Sequence, residues 1–339
     1  MKKILSIALV LVMLVSVVAL AGCGKKTDGE TTTAAPAPSA SENLKFGMGV
    51  YATAKGLDAE DAAGSANVTA TVAAVLLDAD GKIVKCAIDT ADNAVAFNAD
   101  GTVVAPTEFK TKYEIGADYG MVAYAGAAKE WFQQADAFCA TAAGKTLDEV
   151  KAFVAENGVT SGDLATAGCT INAYDFIKAL EKAVANAKDS KATKDDTLKV
   201  AIVSNAKTAD YEDANGYVEY TVTFSAVALD ADKKVTAAAT DELVAKIEFD
   251  AKGIVVAAPE AIKTKLEIGA DYGMVAYAGA AKEWFEQAAA YDAACIGKTA
   301  TEIAAIAVDG YGNDDVKTAG CTIYIGNMVK TTVKAATVA

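Results

Sequence analysis

The chain has 339 residues, with 45 acidic against 31 basic side chains and a formal net charge of −14. This acidic balance argues against nucleic acid as a partner, because phosphate binding needs a basic surface. Histidine and arginine are both absent, which removes the usual neutral-pH general base, a Ser-His-Asp triad, a His-based zinc site and any bidentate guanidinium clamp. What stays open is a carrier or a binding protein rather than a catalyst.

The N-terminus reads as a processing signal. Lys2 and Lys3 precede an uncharged apolar run, Ile4 to Leu20, and Leu20-Ala21-Gly22-Cys23 follows. A positive n-region, an apolar h-region and small residues before a cleavage point mark a secretory signal. The ending resembles the bacterial lipobox, which implies a signal peptide over 1–22 and diacylglycerol on Cys23. It also implies a lipid-anchored protein on the extracytoplasmic face of a bacterial membrane, held by two or more acyl chains. Residues 24–43, rich in Thr, Ala, Ser and Pro, read as a disordered tether, so the lipidated Cys and tether span 23–43. Removing 1–22 takes away two Lys, leaving 29 against 45 acids and a net charge of −16.

After the tether, the chain repeats itself. Glu114 to Phe132 reads EIGADYGMVAYAGAAKEWF, and Glu267 to Phe285 is identical. Around this block, residues from about Phe46 to Lys188 align with Leu198 onward at an offset of 152 or 153. The expected organisation is two tandem domains, 44–188 and 198–339, joined by a charged linker over 189–197. Any site should then occur twice.

Each unit opens on strands. Asn67 to Leu77, Ile83 to Ile88, Val95 to Phe97 and Thr102 to Val104 are punctuated by an Asp-Ala-Asp-Gly turn at 78–81 and an Asn-Ala-Asp-Gly turn at 98–101. This pattern predicts an antiparallel meander, repeated by Tyr217 to Leu229, Ile247 to Phe249 and Gly253 to Val256. The duplicated block predicts a helix from about Met121, with an apolar stripe through Ala128, Trp131, Ala135 and Phe138; Gly116, Gly120 and Gly126 weaken its start. Trp131 and Trp284 fall on that stripe, where an aromatic packs into a core or stacks on a ligand.

Thr146 with Glu149 has capping-box spacing and predicts a short helix to about Glu156. The Gly144-Lys145-Thr146 triplet lacks the upstream glycine of a phosphate loop. Ala173, Phe176, Ile177, Leu180 and Val184 predict a closing helix. The fold class expected is therefore α+β, each unit an antiparallel sheet packed against helices.

Five cysteines remain beside Cys23. Cys86, Cys139 and Cys295 lie on apolar faces and read as small buried hydrophobes. No CxxC pair supports a metal. Cys169 and Cys321 match across the repeats, within Asp163-Leu-Ala-Thr166-Ala-Gly168-Cys169-Thr170 and Asp315-Val-Lys-Thr318-Ala-Gly320-Cys321-Thr322. Small residues and hydroxyls leading into a helix make a possible anion cradle of outward-pointing amides, or else an ordinary capped helix start.

On these residues the chain resembles the bacterial FMN-binding domain, in which Asp-x-x-Ser/Thr-Gly-Ala-Thr/Ser precedes a terminal helix. The resemblance implies cofactor-binding roles for Asp163, Thr166, Gly168, Cys169 and Thr170, and for Asp315, Thr318, Gly320, Cys321 and Thr322. It also implies FMN, electron transfer and a membrane redox donor as partner. The pattern departs where Gly-Ala is reversed and where cysteine replaces the hydroxyl that accepts the FMN phosphoester. The neighbouring Thr could carry the flavin, FMN could bind without a covalent bond, or the scaffold could have lost it. A Cys169–Cys321 disulfide between the domains is a further alternative. The rival reading is a flavin-free surface lipoprotein that binds a ligand or another protein, and a flavin-sized cavity beside Cys169 and Thr170 would separate the two.

Overall fold

The protein is seen in a computed structural model that describes residues 43–60, 63–212 and 214–337. The expected signal peptide, the lipidation site Cys23 and nearly all of the tether lie outside the described residues. The fold is mixed α+β, with antiparallel sheets packed against helices.

Strands β1 (Lys45–Leu57), β2 (Gly64–Leu77), β3 (Ile83–Phe97) and β4 (Val103–Val104) form a meander. Helices α1 (Lys112–Ile115), α2 (Trp131–Ala142), α3 (Leu147–Lys151), α4 (Gly162–Thr166) and α5 (Tyr174–Ala185) follow, and β5 (Lys188–Asp189) pairs with the start of β1. The second half repeats this order. Strands β6 (Thr197–Ala209), β7 (Gly216–Leu229), β8 (Val235–Phe249) and β9 (Val255–Ala257) precede helices α6 (Lys265–Ile268), α7 (Trp284–Cys295) and α8 (Ala300–Ala304). A small hairpin, β10 (Ala307–Val308) with β11 (Tyr311–Gly312), leads to α9 (Asp314–Thr318) and α10 (Gly326–Thr337).

The turns follow from their residues. The Asp78 carboxylate accepts from the amides of Asp80 (3.0 Å) and Lys82 (2.8 Å), and Gly81 takes φ +77°. Asp230 does the same for Asp232 and Lys234, with Lys233 carrying the positive φ. Asx-type turns of this kind close hairpins without help from tertiary contacts.

Burial along the central strands explains how the layers stack. The first residues of β2 alternate buried and half-buried, but Ala70 to Leu77 are buried on both faces. One face, through Val68, Val72, Ala74 and Leu76, joins Val218, Val222, Phe224 and Ile247 of the second half in a single core. The other face, through Ala73, Val75 and Leu77, meets Phe138, Phe176 and Leu180 of its own helices. The second half has its own helical core around Trp284, Tyr291 and Met328. Two sheets thus pack against each other with helices on both outer sides, four layers in all.

The contacts between halves come in matched pairs. Lys182 bridges Glu267 at 2.5 Å, and its counterpart Lys334 bridges Glu114 at 2.7 Å. The Val103 amide donates to Asp210 (2.7 Å) and the Val255 amide to Asp58 (2.8 Å). Phe97 stacks on its own counterpart Phe249, with centroids 4.1 Å apart and planes at 8°. A surface that meets a copy of itself in this way has the form of a two-fold dimer interface, here within one chain. The segment read as a linker, 189–197, is packed accordingly. Its Ala192 is buried and accepts from the Leu44 amide, and buried Asp196 is held by Thr193 and Thr236.

Two helices differ from expectation. The helix expected from Met121 starts only at Trp131, because Gly120 and Gly126 take φ +79° and +65° and break the earlier turns. Glu130 caps it instead, and its carboxylate also collects the amides of Met121 (3.0 Å) and Val122 (3.3 Å). The capping box of Thr146 and Glu149 forms, but α3 ends at Lys151 rather than near Glu156.

Candidate functional site

The duplicated loop is built differently from a cradle of free amides. Asp163 and Thr166 lie on α4, not in an open loop; Asp163 is exposed and faces Lys145 at 3.7 Å. The Thr166 hydroxyl turns back to the Gly162 carbonyl (3.0 Å). Gly168 has φ +89°, and an added Cβ would meet the Lys129 side chain at 2.8 Å. Cys169 is fully buried, with its thiol pushed up to about 11 by burial.

The amides of Thr170 and Ile171 donate to the side-chain oxygen of buried Gln134, at 2.8 and 3.1 Å, and the Thr170 hydroxyl joins them at 3.2 Å. Gln134 donates in turn to the Lys129 carbonyl (2.9 Å), and the Lys129 amine donates to the Ala167 carbonyl (2.7 Å).

The second copy matches. Asp315 and Thr318 are exposed on α9, Gly320 has φ +101° beside Lys282, and Cys321 is buried. Gln287 accepts from the Thr322 amide (2.8 Å) and hydroxyl (3.0 Å), and Lys282 donates to the Ala319 carbonyl (3.0 Å). The expectation that these amides point outward toward an anion is therefore corrected. Each loop is laced to α2 or α7 by one buried glutamine, which uses the donors an anion would need. Gln134 and Gln287 were missed in the sequence because they sit on the polar side of a stripe, where a glutamine normally faces water.

The idea of a Cys169–Cys321 disulfide is likewise overturned. Cys169 belongs to the helical core of the first half and Cys321 to that of the second, on opposite outer sides of the paired sheets. Trp131 and Trp284 are buried core residues.

A cavity of about 360 Å³ opens elsewhere, on the seam where β3 of the first half runs beside β6 of the second. Cys86 to Asp89 of β3, Thr111, Tyr113 and Glu114 around α1, and Asp136 and Cys139 of α2 form one wall. Leu198 to Ala201 of β6 and Lys334 of α10 form the other. Its volume falls at the small end of the range for ligand pockets.

The chemistry of this cavity is mixed. Ile88, Leu198, Val200 and Ala201 supply apolar surface. Lys334 donates to the Ile202 carbonyl (2.7 Å) and pairs with Glu114 (2.7 Å). The Tyr113 hydroxyl donates to Asp136, which holds that carboxylate at the cavity wall. Burial pushes Asp89 up to about 6, although the amides of Thr90 (2.7 Å) and Tyr113 (3.4 Å) donate to it.

Burial also keeps the Tyr113 phenol protonated well above its ordinary range. Cys86 and Cys139 bring their sulfurs to 3.1 Å. None of these groups was assigned a site from the sequence. They come from both halves; Cys86, Tyr113, Asp136 and Cys139 differ from their repeat counterparts Ala238, Leu266, Ala289 and Asp292, while Asp89, Glu114 and Lys334 match Asp241, Glu267 and Lys182. No known protein family, curated protein or solved structure matches the chain.

Proposed function

We propose that this chain is a flavin-free, lipid-anchored surface protein of two tandem α+β units, secreted through its N-terminal signal, that binds a small molecule of mixed polarity on the seam between its halves. The observation that carries the reading is the seam cavity itself, lined by apolar, carboxylate and ammonium groups from both units. A ligand there would lie against Ile88 and Ala201, with its polar end toward Asp136, Tyr113 and Glu114.

The flavin reading has less support. The loop donors that would hold the phosphate are engaged by Gln134 and Gln287, and the cavity is lined by neither Cys169 nor Thr170.

The test is a thermal-shift screen of the purified mature protein against a small-molecule set that includes FMN. Hits are then measured on Ala201→Leu, which fills the cavity, and on Gln134→Ala, which frees the loop amides. A ligand whose shift disappears in Ala201→Leu and persists in Gln134→Ala supports the seam site. FMN binding at two sites per chain, unaffected by Ala201→Leu, would restore the flavin reading and its role as an electron carrier.

A further inference from the structure

Cys86 on β3 and Cys139 on α2 are 53 residues apart in sequence, yet their sulfurs are 3.1 Å apart. That is closer than two unbonded sulfurs normally rest. A disulfide spans about 2.05 Å, so closing one asks the two sulfurs to approach by about 1 Å. The other three described thiols, on Cys169, Cys295 and Cys321, are buried. Cys86 and Cys139 are half-buried, and both line the seam cavity, so a small reagent can reach them.

The repeat supplies an independent comparison. In the second half the counterparts are Ala238 and Asp292. There, the same joint between central strand and helix is made by Asp292, whose carboxylate accepts from the Thr240 amide (3.1 Å) and hydroxyl (2.9 Å). Thr240 is the counterpart of Ile88, which has no hydroxyl or polar side chain to offer. The first half therefore lacks the hydrogen-bonded tie and carries two sulfurs at that place.

We propose that Cys86 and Cys139 are a reversible disulfide pair that locks β3 to α2, closed by exchange with an external low-molecular-weight disulfide that enters through the seam cavity. Cys86 loses its proton to solvent, and its thiolate attacks the external disulfide. A Cys86 mixed disulfide forms, and one small thiolate leaves and takes up a proton. Cys139 then loses its proton and attacks the Cys86 sulfur. The Cys86–Cys139 bond forms as the mixed disulfide breaks, and a second small thiol departs. Two electrons pass from the protein dithiol to the external disulfide.

Cys139 is the resolving partner because its S–H donates to the Cys86 sulfur, which together with partial burial raises its pKa well above the ordinary value and leaves little thiolate to attack first. The proposal does not depend on what else the cavity holds.

The experiment uses the full mature chain, reduced and then exposed to oxidised glutathione, denatured without reductant, alkylated and mapped by peptide mass. The expected map joins the Cys86 peptide to the Cys139 peptide and shows Cys169, Cys295 and Cys321 alkylated. Cys139→Ser should trap glutathione on Cys86, whereas Cys86→Ser should leave Cys139 free of it. Alkylation of both Cys86 and Cys139 in the oxidised wild type would overturn the pair. Glutathione accumulating on Cys139 in Cys86→Ser as fast as on Cys86 in Cys139→Ser would overturn the order of attack. The wild-type map decides even if a variant fails to fold.

Discussion

Gln134 and Gln287 each hold several backbone and hydroxyl donors on one buried oxygen. Removing such an acceptor strands part-buried N–H groups, each at a cost of up to about 1–3 kcal/mol. Gln134→Ala is expected to destabilise the protein by roughly 2–4 kcal/mol, read as a lower midpoint in urea denaturation with unchanged slope. A loss below about 0.5 kcal/mol would mean water replaces the glutamine and the loop is looser than its bonds imply.

The buried carboxylates act on a different variable. Burial raises Asp292 to about 7, with the nearby Asp241 charge adding to it, and raises Asp241 itself to about 7. In the unfolded chain both return to an ordinary value near 3.8. The folded state therefore binds more protons between these limits. The stability these groups contribute is full below the unfolded value and is lost as pH rises through about 7. Melting temperature should fall from mildly acidic to neutral pH, and Asp292→Asn should flatten that slope. A wild-type profile that rises over the same range would contradict the raised values. Asp100, Glu149, Asp250 and Glu302 are held below the ordinary range by turn and cap donors, so their contribution is lost at still lower pH.

At the scale of elements, the decisive contact is how closely a helix lies on its sheet. A Cβ on Gly47 would stand 2.0 Å from the Ala183 carbonyl, and one on Gly49 2.3 Å from the Ala183 amide. Helix α5 therefore rests on the bare backbone of β1. The second half has Lys199 and Ala201 at those places, and the seam cavity is lined by both. The seam cavity is thus bordered at these two places by side chains where the first half has bare glycine.

Gly49→Ala should cost about 1–3 kcal/mol through overpacking, measured as a drop in chemical stability. A neutral outcome would show that α5 can lift away. The strand–helix joint of β3 and α2 gives a second prediction at this scale. Closing a loop of 53 residues restricts the unfolded chain by about 4 kcal/mol in the entropic account. Oxidised protein should then melt several degrees above reduced protein, and the difference should vanish in Cys86→Ser.

For the whole molecule, the shared core is the main structural fact. Val68, Val72 and Phe97 from one unit and Val222, Phe224 and Phe249 from the other are buried only because the sheets face each other. Cutting the chain at exposed Lys194 and Asp195 would bare two apolar sheet faces, each far larger than a soluble monomer tolerates. Halves expressed together should copurify as a one-to-one complex. Each half alone should self-associate, using the same self-matching surface as Phe97 and Phe249. Two soluble, monomeric halves in analytical ultracentrifugation would show that the common core is dispensable.

The amino-acid sequence by itself determined the repeat, which is written out twice along the chain, and the α+β class, the Asp-Gly hairpin turns and the capping box at Thr146, which depend on patterns of neighbours a few residues apart. It also placed the stripe that buries Trp131 and Phe138. The tertiary structure alone decided what lies on the second face of each sheet. A strand's alternation shows that a face is covered but not by what, so the contact between units was invisible.

For the same reason the sequence pointed to the Thr-Ala-Gly-Cys loops, which are adjacent in sequence and repeated. The residues of the seam, from Cys86 to Lys334, are remote in sequence, and Cys86, Tyr113, Asp136 and Cys139 among them are not repeated. They become one site only when packing joins β3 to β6, because burial of apolar surface is indifferent to chain distance while a motif is not.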